Sequence, residues 1–174
     1  MPESEADRRT DEQDSWNAKA RGETELQRLD RNMNELLQEL RVAQTGVQIL
    51  FAFLLTIAFT GQFQEVDDFA RAVYVATLLC ALVASGFLIA PVGYHRLLFQ
   101  RRMKREVVTA ANRLAVAGLA FLAIALAGAL LLILDVVIGR EVGLVVSAVA
   151  LLWLATLWFA LPFARARRIE FEDD

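Results

Sequence analysis

Three polar side chains, Gln44, Thr45 and Gln48, stand in a stretch that is otherwise apolar from Val42 onward, with Thr56 and Thr60 further along. A side-chain amide both donates and accepts. In hydrocarbon it must find a partner, either across a helix interface or along a polar path for water or ions. Gln44 and Gln48 are four apart on one helical face, and Arg41, Thr45 and Gln48 form the adjacent row. Two kinds of chemistry fit this spacing: interhelical hydrogen bonding, and the lining of a polar cavity or an oligomeric pore entrance.

The other reactive side chains are isolated. Asp135 closes the third apolar stretch, with Arg140 and Glu141 just beyond it, and a solvated ion pair with Arg140 is expected. A proton or cation site is the other reading, although carriers place such carboxylates nearer the membrane centre. Glu65, Asp67 and Asp68 form an acidic turn that can cap a helix start, or gather cations if repeated around an oligomer axis. His95 is the single histidine, open to a pH-sensing role, and Cys80 is the single cysteine. Cys80 therefore has no disulfide partner within the chain, and an apolar setting keeps its thiol inert. No nucleophile–base pair, metal-ligand cluster or phosphate-binding loop is legible. The expectation is a protein that is not an enzyme and takes no cofactor or metal.

The elements that position these residues are helices. Of 174 residues, 56% are hydrophobic and the mean hydropathy is +0.41, too apolar for a water-soluble surface. A bilayer core of about 30 Å needs roughly 20 apolar residues in a helix. Four segments qualify, at about residues 42–63, 70–92, 114–134 and 142–163, each without a charge in its middle. One such charge would cost at least ~2.5–3.5 kcal/mol. The expected fold is all-α, a polytopic membrane four-helix bundle.

Orientation follows from Lys and Arg. Arg21, Arg28, Arg31 and Arg41 precede the first span. Arg96, Arg101, Arg102, Lys104, Arg105 and Arg113 lie between the second and third, and Arg165, Arg167 and Arg168 follow the fourth. The two remaining loops hold only Arg71 and Arg140. The positive-inside rule then puts both termini and the central loop in the cytoplasm of a bacterial inner membrane. Arg96, Arg101, Arg102, Lys104 and Arg105 become candidate contacts for anionic lipid headgroups, and no nucleic-acid partner is expected. No apolar core of a cleavable signal is visible in residues 1–41, so the first span is expected to direct insertion.

Residues 1–22 are charged and poor in apolar side chains, a composition that predicts a disordered tail, and residues 164–174 read as a short tail at the other end. Residues 23–41 are different. Thr24 and Gln27 fit a capping box. Leu26, Leu29, Met33, Leu36 and Leu40 then recur at alternating intervals of three and four, in phase with Ala43, Val47 and Leu50 of the first span. One continuous helix, extended into the cytoplasm, is predicted. Its stripe can pack on the protein's own central loop and helix ends, pair with neighbouring subunits in a homo-oligomer, or lie on the membrane surface.

Leu40-Arg41-Val42-Ala43-Gln44-Thr45-Gly46-Val47-Gln48, continuing to Leu55, together with Pro91 and Tyr94-His95-Arg96-Leu97-Leu98-Phe99, resembles an uncharacterised family of small four-span bacterial membrane proteins, mostly actinobacterial. The resemblance covers about residues 23–168. Its members are sometimes labelled sodium:proton antiporters, which implies ion transport without assigning residues to it. From the residues themselves the expectation is a non-enzymatic scaffold or assembly component, with an oligomeric ion channel or small proton-coupled carrier as the alternative.

Overall fold

The computed structural model describes residues 22, 24–98 and 104–165, and these are helical apart from short turns. The order is α1 (Glu25–Ala58), a single turn α2 (Gly61–Gln64), α3 (Asp68–Leu98), α4 (Lys104–Val137) and α5 (Arg140–Ala155). A π-helical turn, Thr156–Ala160, prolongs α5, and helix resumes through residue 165. Four segments are long and apolar enough to cross a membrane: Gln27–Ala58, Asp68–Gly93, Val108–Val137 and Arg140–Arg165. The chain is a multi-pass membrane protein with an all-α fold.

α1 begins where the capping box predicts. Gln27 N–H donates to Thr24 Oγ1 at 3.4 Å, and Thr24 N–H donates to Gln27 Oε1 at 2.8 Å, satisfying two backbone donors at the helix start. From there α1 runs unbroken for 34 residues. Its end falls at Ala58, short of residue 63. Phe59 and Thr60 close onto Thr56 O and Ile57 O, and Thr60 Oγ1 donates to Ile57 O as well, so the last carbonyls are satisfied in a tightened turn.

α3 starts on Asp67, whose Oδ1 accepts from Ala70 N–H at 2.9 Å. The second span closes at Gly93, while the helix α3 continues to Leu98, and α4 begins ten residues ahead of Leu114, at Lys104. Arg96, Lys104 and Arg105 are thus helix positions rather than loop residues. Residues 99–103 lie outside the described residues, and so do the terminal tails at 1–21 and 166–174.

α3 and α4 form the most extensive contact, and α1 lies against both. Small residues let α3 and α4 approach. A Cβ on Gly128 would run into Thr77 Oγ1, so this crossing tolerates no side chain at that position. The core between the three helices holds Val47, Leu50 and Leu54 from α1, Ala81, Ala84 and Leu88 from α3, and Ala115, Leu122 and Ala125 from α4. α5 returns along α4 through Gly139, whose φ of 124° suits glycine alone, and packs chiefly on α4. Its buried residues are Gly143 and Ser147. The bundle is therefore three helices in mutual contact with a fourth leaning on one of them.

Candidate functional site

Gln44 faces the interior between α1 and α3. Its Nε2 donates to Leu88 O at 2.7 Å. That carbonyl belongs to the turn of α3 that Pro91 disturbs. Proline has no N–H to offer Phe87 O, and its ring opens the turn below it, exposing neighbouring carbonyls. Pro91 and Leu88 are both fully buried, so water is excluded from this turn. The carbonyl left without its N–H is Phe87 O, next to the Leu88 carbonyl that Gln44 reaches, so the amide adds an interhelical bond beside the turn that proline weakens. Gly118 of α4 gives Leu88 its space, since a Cβ there would lie 2.8 Å from the Leu88 side chain.

Thr45 and Gln48 do not join Gln44. Thr45 is exposed, and its hydroxyl donates to Arg41 O at 3.0 Å within its own helix. Gln48 is also exposed and makes no hydrogen bond among the described residues. The three residues expected as a candidate polar cavity or pore lining are thus divided between the bundle interior and its outer face.

The heptad stripe is turned inward. Leu29, Met33 and Leu40 are buried, Leu36 is half-buried, and Met33, 2% exposed, packs on Ala111 with Leu37 and Val108 beside it. The beginning of α4 thus covers the beginning of α1. The side chain of Leu26 lies outside the described residues, as do the side chains of Arg96, Lys104 and Arg105 and the whole of Arg101 and Arg102.

At the opposite end of the bundle Arg140 gathers three elements. Its Nη2 donates to Asp67 Oδ2, its Nε donates to Asp135 Oδ1 at 3.2 Å, and its guanidinium carbon sits 4.1 Å from the centroid of the Phe69 ring. The bonded Arg140 guanidinium, with Ala70 N–H, holds the Asp67 carboxyl below its ordinary value of 3.8. Asp135 departs from expectation. It is paired with Arg140, but its side chain is only 10% exposed, so the pair is shielded on that side. The link to Asp67 joins residues far apart in sequence, and no local pattern announces it.

Beside this cluster lies a cavity of about 280 Å³ among Ile57, Thr60, Phe63, Ala70, Leu132 and Val136. Its walls are apolar apart from the Thr60 hydroxyl, which is bonded to Ile57 O. Tyr74, its ring tilted against Phe63 with centroids 4.5 Å apart, is tied to α1 by its hydroxyl, which donates to Leu54 O at 3.1 Å.

A sequence family matches residues 22–162, which takes in the α1 extension, three spans and all but the last residues of the fourth. The chain belongs to DUF6328, a family of unknown function. No curated protein and no solved structure matches it. Membership in DUF6328 agrees with an uncharacterised membrane class and assigns no activity to Gln44, Arg140 or any other residue.

Proposed function

We propose that this protein is a non-enzymatic membrane scaffold or assembly component that presents the paired starts of α1 and α4 to a partner on the cytoplasmic side. The observation that carries this reading is the burial of Met33 against Ala111, which fastens the α1 extension to α4. From Glu25 to Arg41, α1 rises about 25 Å at ~1.5 Å per residue. A free helix of that length in water is marginal, whereas one docked along an apolar stripe holds a fixed shape. The face left outward carries Asn32, Asn34, Glu35 and Glu39, a polar surface suited to a protein partner with complementary charge.

The positive-inside arrangement of Lys and Arg supports the cytoplasmic placement, and the basic helix ends around Arg96, Lys104 and Arg105 suit an anionic leaflet. The channel or carrier reading retains one supporting observation, the exposed Gln48. Against it, the Gln44 amide is already bonded to Leu88 O.

Photo-crosslinking side chains at Glu35 and Glu39, in native membranes, test the scaffold reading. A discrete adduct to a different protein, lost when Met33→Asp undocks the extension, is expected. Adducts to lipid alone, at both positions, would refute it.

A further inference from the structure

We infer that α1 pairs in parallel with α1 of a second copy of this chain, through the face turned away from α3 and α4. One side of α1, carrying Met33, Leu40, Val47 and Leu54, is buried within the chain. On the other side two rows run at intervals of seven: Gln38, Thr45 and Ala52, then Arg41, Gln48 and Leu55. All six are exposed. Rows spaced seven apart and offset by three are the seam of a two-stranded coil, and the repeat keeps that seam toward a partner along its length.

Gln48 is the reason that lipid is a poor cover for this face. Its amide has no partner among the described residues. It stands one helical turn deeper than Gln44, and about 15 Å of helix rise from the end of α1 at Ala58. At that depth hydrocarbon offers neither a donor nor an acceptor. About a twofold axis each Gln48 meets its own counterpart, and two amides can each donate and accept. Thr45, whose hydrogen goes to Arg41 O, can still accept, and Ala52 lets the backbones approach. Arg41, at the membrane edge, has a stem long enough to carry its charge to the headgroups, so the two copies need not oppose like charges. The seam supplies its own complement in donors, acceptors and depth, which identifies the occupant as a second copy. This pairing stands on the four-span reading and is independent of the scaffold reading.

The test uses the full chain in liposomes, in a Cys80→Ala background. Oxidation should link Gln48→Cys and Ala52→Cys into dimers, and should leave Val47→Cys, which its own chain buries, unlinked. In a separate dilution series of the native sequence by lipid, the protein should pass from dimer to monomer. Gln48→Leu, which keeps the span apolar, should weaken that dimer roughly three- to twenty-fold. A chain monomeric at every dilution would overturn the pairing. So would equal linkage from Val47→Cys and Gln48→Cys, a dimer indifferent to Gln48→Leu, or a photo-crosslink at position 48 to a different protein only.

Discussion

The amide of Gln44 on α1 donates to the backbone carbonyl of Leu88 on α3, at 2.7 Å, three residues before the buried Pro91. A polar side chain inside the membrane thereby ties α1 to α3 beside the turn that proline weakens. Gln44→Leu should cost about 1 kcal/mol in a bilayer-mimetic unfolding assay. Pro91→Ala restores a donor for Phe87 O, one residue from the carbonyl that Gln44 reaches, so coupling between the two substitutions would run through the geometry of that shared turn. A double-mutant cycle that returns no interaction energy would separate the amide from the proline.

The α3–α4 crossing makes a second prediction. Gly128→Ala places a methyl against Thr77 Oγ1, and overpacking of this kind costs ~1–3 kcal/mol. Thr77→Ala in the same chain should recover much of the loss, which thermal melts of the single and double variants would reveal.

The docked extension makes a third. Met33→Asp puts a charge against Ala111 and Val108. Amide hydrogen exchange should accelerate over the first four turns of α1, while the part of α1 around Val47 to Leu54 keeps its protection. Equal protection in both proteins would mean that the extension is held by something other than this contact.

Buried small residues on α5 supply a fourth. Ser147 Oγ is buried without a hydrogen-bond partner among the described residues. Ser147→Ala should be neutral or stabilising by up to ~1 kcal/mol, because it removes an unsatisfied group from the α4–α5 contact. Clear destabilisation would point to a bonded hydroxyl.

The Arg140 cluster predicts an acid-side dependence. Asp67 titrates below 3.8 in the folded chain, so its contribution is complete above the unfolded value and is lost as pH falls through the lowered native one. Arg140→Gln removes that contribution and leaves Asp135, 10% exposed, without its guanidinium. Its melting temperature should lie below that of the native sequence near neutral pH. The two curves should converge as pH falls through the lowered range of Asp67.

Features set by neighbours along the chain are legible in the sequence. The Thr24–Gln27 cap, the four spans, the Asp67 cap and the Gly139 turn each depend on residues within one or two turns of one another. The inward stripe is also legible as a periodicity, although the pattern alone does not say which surface receives it. The end of α1 is not legible, since Phe59 and Phe63 extend the apolar run past the backbone turn at Thr60. Nor is the helical reach into the central connection: Arg96, Lys104 and Arg105 mark a boundary of the hydrocarbon, while lysine and arginine remain good helix formers beyond it. The division of the polar row has a geometric cause. Residues four apart on a helix differ by about 40° in direction, and the edge of the α1–α3 contact falls between Gln44 and Gln48. Arg140 reaching Asp67 is a matter of tertiary packing, invisible to any local pattern.

On the proposed scaffold reading, the polar residues of the first span hold helices together and do not conduct ions. Sodium and proton flux into proteoliposomes, for the native sequence and for Gln44→Leu combined with Gln48→Leu, addresses it directly. The account predicts flux equal to that of protein-free liposomes in both preparations. A flux above that baseline in the native protein, abolished by the paired substitution, would contradict it and establish a transport path along α1.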